Sequence, residues 1–201
     1  MKSSNQDTSP DTPPDTQPGT TDFYGPLKDI AAMAGKEKPP VHLWHPESVG
    51  DIDIRIDRHG QWWHEGALIE RQRLVRLFST VLRRDEDGEY YLVTPVEKCR
   101  IQVEDVPFQA ILLEIEGLAD QQQLYITTNV ADRVLVDTSH PLRFEFDPIT
   151  EEPSPYVLVR DGLEARLVRS VYYQLAALCV ERASWLGVWS AGHFFRLLKM
   201  T

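Results

Sequence analysis

Apolar and charged residues alternate in the first regular segment of the chain, residues 51–57. The three isoleucines of this segment, DIDIRID, are flanked by charged residues, and this period of two predicts a half-buried β-strand. A His-Gly pair at 59–60 predicts a turn, so residues 61–65 are expected to return as the second strand of a hairpin.

The apolar period then changes to that of a helix. Residues 74–82 carry apolar side chains at the i, i+3, i+4 and i+7 spacing of one helical face. An Asp-Gly turn follows, and the β-branched and aromatic residues of 90–95 and 99–104 predict two further strands. The first unit is therefore predicted to be strand–strand–helix–strand–strand.

The same order of elements recurs towards the C-terminus. Strands are predicted at residues 143–147 and 156–160, a helix at 167–179, and two final strands at 186–190 and 193–198. The second half of the chain is therefore expected to repeat the construction of the first.

A literal sequence match supports this duplication. Arg-Leu-Val-Arg begins at Arg73 in the first predicted helix and at Arg166, 93 residues later, in the second. Shared residues inside a shared order of elements favour an internal repeat, with copies at 51–104 and 141–201. Residues 107–137 add about three alternating strands, which we assign to the sheet of the second half.

These elements predict an α+β protein in which two tandem β-β-α-β-β units form curved antiparallel sheets, each packed with one long helix. Residues 1–22 consist mainly of Pro, Thr, Asp and Ser, which predicts a disordered leader. The N-terminal subdomain is expected to span residues 23–104 and the C-terminal subdomain residues 105–201.

Composition narrows the range of partners. The chain has 201 residues and a net charge of −10, so neither nucleic acid nor an anionic membrane is an expected partner. Its N-terminus has no signal-peptide pattern, and Cys99 and Cys179 lie in apolar stretches without metal-ligand spacing. The protein is therefore expected to be cytoplasmic, with two free thiols and no bound metal.

Several stretches of the sequence resemble a known family. They are GQWWHEGALIER (60–71), LVRLFSTVL (74–82), YYLVTPVEKCRIQVEDVPF (90–108), LEARLVRSVYYQL (163–175) and LGVWSAGHFF (186–195). The resemblance is to the bacterial domain-of-unknown-function family 1285, and the TPVEK and VEDVPF blocks are its most specific parts. It implies a duplicated core, a C-terminal half like a pleckstrin-homology fold, a signalling role and a nucleotide-type ligand between the halves.

The TPVEK block is the best candidate for chemistry. Glu97 and Lys98 follow Pro95, where strand pairing changes, and an ammonium group there suits a phosphate or a carboxylate. The alternative is a solvated strand face with cross-strand ion pairs. Asp105 is a candidate general base, although an Asx-type hydrogen bond that holds the following turn is the preferred interpretation.

Tryptophans and arginines supply the remaining candidates. On a strand, Trp62 and Trp63 point to opposite faces, so one is expected in the core and the other at the surface or at a seam. Arg71 and Arg166 lie at or before predicted helix starts, where a structural ion pair is preferred over an anion site. The complete predicted ligand site between the halves comprises Trp62, Arg71, Glu97, Lys98, Asp105 and Trp189.

Three hypotheses for function follow. The first is a non-enzymatic regulatory module that binds a small anionic ligand of the nucleotide type between the halves, with no other cofactor. The second is a protein–protein interaction adaptor, which an exposed apolar patch would mark. The last is a hydrolase or transferase that uses Glu97, Asp105 and Lys98, although the sequence has no GxSxG, GxGxxG or Walker A pattern.

Overall fold

The structure, a computed structural model, describes residues 38–146, 148–149 and 152–200. The leader predicted for residues 1–22 lies outside the described residues, and so does Asp147, the last residue of a predicted strand. Among the residues described, no helix is long and apolar enough to cross a bilayer.

The described part of the first half contains six strands, one α-helix and a short 3-10 helix at Val41–Leu43. The strands are β1 (Ser48–Ile56), β2 (Trp62–His64), β3 (Ala67–Leu68), β4 (Leu82–Arg84), β5 (Tyr90–Val93) and β6 (Glu97–Val103), and helix α1 (Gln72–Thr80) connects β3 to β4. They assemble into one sheet in the order β3-β2-β1-β6-β5-β4. Neighbouring strands are antiparallel except β1 and β6, which run parallel at the centre of the sheet.

Six further strands form the second sheet. They are β7 (Phe108–Glu116), β8 (Gln123–Thr128), β9 (Arg133–Leu135), β10 (Leu142–Phe146), β11 (Pro153–Arg160) and β12 (Leu163–Leu167). Their order is β9-β8-β7-β12-β11-β10, with β7 and β12 parallel at the centre. Helix α2 (Arg169–Ala176) and a three-stranded antiparallel sheet follow, with strands β13 (Val180–Arg182), β14 (Trp185–Ser190) and β15 (His193–Lys199).

The two six-stranded sheets have the same topology. In each, two three-stranded meanders follow one another, and the first strand lies parallel to the last. The α+β class and the tandem pair of similar curled sheets are thus confirmed. The equivalent segments, however, are 48–103 and 108–167, so the strands predicted within 107–137 are the first meander of the second copy and not an insertion.

The Arg-Leu-Val-Arg match does not mark equivalent positions. Arg73 lies in α1, whereas Arg166 lies in β12 and α2 begins only at Arg169. Residues 163–167 alternate between buried and half-buried side chains, and this period of two overlaps with the apolar spacing of the helix that follows. The predicted helix start at residue 167 is therefore wrong.

The helices are short, and each buries one face. Helix α1 has nine residues and buries Val75 and Phe78, and α2 has eight and buries Val171 and Leu175. The ring of Phe78 stacks on that of Trp62, with ring centroids 6.0 Å apart. Because the buried residues of both sheets form one continuous cluster, the two halves share a core.

The turn between β1 and β2 is fastened to the second sheet. Gln109 Nε2 donates a hydrogen bond to the carbonyl oxygen of Arg58 at 3.2 Å, and Asn129 Nδ2 donates to that of Gly60 at 3.1 Å. Gly60 has a φ of +70°, and a Cβ atom there would lie 2.8 Å from the Gln109 side chain and 2.9 Å from that of Asn129. Glycine therefore permits both the turn and the close approach of the halves.

The thiol of Cys99 is buried in the first sheet, where its side chain is 3% exposed. Burial, and then the carboxylates of Glu97 and Asp51, raise the pKa of this thiol from 9.0 to about 11. The thiol ionises at a lower pH in the unfolded chain than in the folded protein. Its contribution to the free energy of unfolding is therefore fully present below the pKa of the unfolded state, and it is lost as the pH rises through the pKa of the folded state. Between pH 9.0 and about 11, the free energy of unfolding should therefore fall more steeply in the wild type than in Cys99→Ala.

Urea unfolding at a series of alkaline pH values measures this difference. The comparison is made between the two pH slopes, because the cavity left by the alanine lowers stability equally at every pH. Equal slopes in the two proteins would contradict the burial of the thiol.

Candidate functional site

A cleft of about 570 Å³ opens between the two halves, and we refer to it as the inter-sheet cleft. Part of its lining is the β1–β2 turn, and the rest comes from Gln109 of β7, Glu152, the start of β11, the end of β12 and the start of α2. Its volume lies in the usual range for a small-molecule site. The charged and aromatic side chains that matter for its chemistry are Arg58, His59, Arg166, Arg169, Tyr172 and Tyr173.

Among the described lining residues, the cleft has three arginines and one acidic residue, Glu152. Arg166 Nη1 lies 3.3 Å from Asp105 Oδ2, just behind the lining. Arg169 Nε donates a hydrogen bond to the Tyr173 hydroxyl at 3.0 Å, and this bond raises the pKa of Arg169. Guanidinium groups are the preferred protein donors to phosphates and carboxylates, so the cleft is suited to an anion.

The N-terminal end of α2 lies at the cleft. The N-cap residue Val168 and the first helical residue Arg169 both line the cavity. Val168 has no side-chain oxygen to cap the first-turn amides, and the first turn contains no acidic residue. The positive end of the helix dipole therefore adds to the charge of the three arginines.

Two tyrosines give the cleft an aromatic surface. The rings of Tyr172 and Tyr173 lie 5.7 Å apart at an interplanar angle of 42°, and Tyr173 is 54% exposed. An exposed ring beside cationic groups can stack on a planar ligand. Nowhere in the described ranges is a group of three or more His, Cys, Asp or Glu side chains placed to hold a metal ion.

A polar network connects Arg166 to the body of the second sheet. The Tyr156 hydroxyl donates to Asp105 Oδ1 at 3.2 Å, and burial together with the Asp105 charge raises the pKa of Tyr156. Arg143 lies over the Tyr156 ring, 4.1 Å from its centroid, and binds Glu164 with two hydrogen bonds of 2.6 and 2.7 Å. The hydroxyl therefore stays protonated and keeps its hydrogen bond to the Asp105 carboxylate.

The charged residues of the TPVEK block lie within the first sheet, where Lys98 already has polar and aromatic partners. Lys98 Nζ donates to Asp85 Oδ2 at 2.7 Å and lies 4.3 Å from the centroid of the Tyr91 ring. Arg83 pairs with the same carboxylate at 2.5 Å. Glu97 is 8% exposed at the start of β6. Lys98 is therefore a member of a local charge cluster, and it does not line the inter-sheet cleft.

The other predicted residues are dispersed. Trp62 is 1% exposed in the core, so its ring offers no face to a ligand. Arg182 lies over the Trp189 ring, with its Cζ 4.6 Å from the ring centroid, and Trp189 lines a separate cavity of about 370 Å³. Arg71 is the exposed N-cap of α1. The six predicted residues therefore do not form one site, and among them Asp105 is the residue that contacts a cleft arginine.

Sequence reasoning missed most of the cleft. The sequence predicts Arg166 at the start of a helix, whereas it lies near the end of strand β12. The missed signal is Arg-Leu-Val-Arg-Ser-Val-Tyr-Tyr at residues 166–173, where two arginines precede two tyrosines at a helix start without a capping residue. Arg58 and His59 give no local signal, because only tertiary packing brings their turn to the second sheet.

The fold and the cleft define a class of protein, in which two topologically identical curled sheets stand in tandem and enclose a basic cleft. Residues 39–106 match the family described as "Domain of unknown function (DUF1285), N-terminal domain". Residues 107–197 match "Protein of unknown function (DUF1285), C-terminal domain". The chain therefore belongs to the DUF1285 family.

Two solved structures are similar to this chain. A DUF1285 family protein from Silicibacter pomeroyi DSS-3 is 46% identical, with a TM-score of 0.80 over 87% of this chain and 95% of the other. A DUF1285 family protein from Shewanella baltica OS155 is 28% identical, with a TM-score of 0.50 over 62% of this chain and 90% of the other. No curated protein matches the chain.

Proposed function

We propose that this protein is a non-enzymatic regulatory module that binds a small anionic ligand of the nucleotide type in the inter-sheet cleft. The observation that carries the proposal is the meeting of Arg58, Arg166 and Arg169 with Tyr172 and Tyr173 in one cavity between the halves. Phosphates would bind the guanidinium groups and the start of α2, and the base would stack on the exposed Tyr173.

The assignment to the cytoplasm is part of the same proposal. Cys99 and Cys179 are both free, and Cys99 is buried. Free thiols are the usual state in a reducing compartment. The position of the cleft supports the proposed regulatory role, because a ligand that contacts both halves can bias how they are held together.

Replacement of Arg169 by alanine is expected to weaken nucleotide binding about tenfold, since one charge-assisted hydrogen bond contributes roughly 1.5 kcal/mol. Arg169 is exposed, and its side chain donates a hydrogen bond to the hydroxyl of Tyr173. Its replacement should therefore leave the fold intact. Isothermal titration calorimetry with ATP, GTP and pyrophosphate measures the loss. Thermal unfolding with and without ligand gives an independent reading of occupancy.

Arg196→Ala is the matched control for this experiment. Arg196 lies over the Trp185 ring in the third sheet, and its removal changes the net charge by the same amount away from the cleft. A wild-type protein that binds none of the three anions at millimolar concentration would refute the proposal. Equal weakening by Arg169→Ala and Arg196→Ala would show a nonspecific charge effect in place of a site.

An interaction adaptor remains a second candidate, because aliphatic side chains are exposed along β7 and just after it. The exposed fractions are 50% for Ile111, 47% for Leu112, 46% for Ile115 and 84% for Leu118. Exposed apolar surface of this kind is typical of protein-binding faces. A partner that binds the wild type and Arg169→Ala equally, but not Ile115→Asp, would favour the adaptor over the ligand-binding module.

A further inference from the structure

Two carboxylates on the connection between the sheets meet the arginines of the inter-sheet cleft. Glu104 and Asp105 lie between β6, which ends at Val103, and β7, which begins at Phe108. Glu104 Oε2 accepts a hydrogen bond from the backbone amide of Arg58 at 3.1 Å and lies 3.7 Å from its Nε. On the other side of the cleft lining, Asp105 Oδ2 lies 3.3 Å from Nη1 of Arg166.

These two pairs are longer than the other arginine–carboxylate pairs of the described residues, the longest of which joins Arg133 and Glu116 at 3.2 Å. Arg83 and Asp85 are 2.5 Å apart, Arg143 and Glu164 are 2.6 Å apart, and Arg133 and Glu114 are 2.9 Å apart. Charge-assisted hydrogen bonds normally fall near the shorter values. Arg58 and Arg166 are therefore held by carboxylates that bind them weakly.

The weak pairs are also accessible to solvent. The side chains of Arg166 and Asp105 are 37% and 24% exposed, and that of Arg58 is 70% exposed. Asp105 has a second partner in the Tyr156 hydroxyl, and Arg166 has one in the Ser154 hydroxyl at 3.0 Å. Either side chain can therefore leave the other without losing every polar contact.

We propose that Glu104 and Asp105 are internal competitors that occupy the cleft arginines until an anionic ligand displaces them. This inference rests on the proposed function and concerns the regulation of the same site. The competing groups lie on the segment that joins the two sheets, so binding would free that segment from Arg58 and Arg166. The carboxylates thereby lower the affinity for anions and couple ligand occupancy to the connection between the halves.

If Asp105 instead positioned Arg166 for the ligand, neutralisation of Asp105 would change the affinity for the ligand in the opposite direction. A carboxylate that positions Arg166 for the ligand would strengthen binding, and its neutralisation would then weaken it. A competing carboxylate weakens binding, because its negative charge lies close to that of the bound anion. The direction of the change in affinity therefore separates competition from positioning.

Asp105→Asn is the decisive variant, because asparagine removes the charge and keeps an oxygen that accepts from Tyr156. We expect it to bind pyrophosphate and ATP about fivefold more tightly than the wild type at low ionic strength. Glu104→Gln should tighten binding less, since Glu104 also pairs with Arg55. Glu114→Gln is the matched control, because Glu114 pairs with Arg133 and does not line the cleft. Its affinity should stay within about twofold of the wild type.

The outcomes distinguish the two proposals. Calorimetry that shows tighter binding by Asp105→Asn and unchanged binding by Glu114→Gln supports the role of Asp105 as a competitor. If the wild type binds and Asp105→Asn binds equally or more weakly, the proposal that Asp105 is a competitor is refuted, but the proposed ligand site is not. If neither the wild type nor any variant binds, the ligand site is refuted, and the proposal that Glu104 and Asp105 are competitors is refuted as well. Thermal unfolding of each variant without ligand verifies that the fold is kept.

Discussion

Replacement of Phe78 by alanine is expected to lower the free energy of unfolding by about 3–5 kcal/mol, as removal of a fully buried aromatic ring does in other cores. Phe78 has no exposed surface, and its ring stacks on that of Trp62. Because Trp62 belongs to β2 and Phe78 to α1, the substitution would remove the contact that seats the helix on the first sheet. Urea unfolding followed by circular dichroism measures the loss.

Phe146→Ala is the matched control, because it removes the same side chain from a site that is 43% exposed in β10. The control should cost less than about 1 kcal/mol. Comparable losses in the two variants would mean that Phe78 is not a core residue. The intrinsic fluorescence of Phe78→Ala should also change, since the environment of Trp62 depends on this ring.

Replacement of Gly187 by alanine is expected to destabilise the third sheet by about 3 kcal/mol. A Cβ atom at this position would lie 2.4 Å from the Phe195 carbonyl oxygen and 2.6 Å from the Phe194 ring. The carbonyl belongs to the backbone of β15, which pairs with β14 along its length, so the clash cannot be relieved by a side-chain rotation. Separation of the two strands should also release the packing of Trp189 against Phe194.

Gly50→Ala is the control for this substitution. A Cβ atom on Gly50 would lie 3.9 Å from Cys99 Sγ, which is an ordinary contact, so its stability should stay within about 0.5 kcal/mol of the wild type. Thermal unfolding and near-ultraviolet circular dichroism report the two effects, because Trp185 and Trp189 both lie on β14. A Gly187→Ala protein with the stability and the aromatic spectrum of the wild type would contradict the strand packing described here.

Local alternation predicted strands well where one face of the strand is buried. The predicted strand at 51–57 corresponds to β1, in which Ile54 and Ile56 are buried. The same pattern cannot say which strand lies next to which, so the parallel pairing of β1 with β6 was not predicted. A side-chain period specifies a face of the sheet, whereas the partner of a strand is decided by contacts far away in sequence.

The candidate site was harder to predict than the fold for the same physical reason. The local sequence pattern shows no partner for Lys98, but the structure pairs it with Asp85 on a loop 13 residues earlier. The cleft instead combines the turn at Arg58 with Arg166 and Arg169, more than 100 residues later. Only the shared packing of two sheets brings these cations together, and no local pattern contains that information.

The parallel pairing of the first and last strands has a consequence for synthesis of the protein on the ribosome. In each sheet the central position is filled last, because β6 must insert beside β1 and β12 beside β7. The first sheet therefore cannot close until residue 103 has left the exit tunnel, and the second cannot close until residue 167 has done so. Until then the nascent chain exposes the edges of β1 and β7, and it is in this interval that it depends most on protection from aggregation.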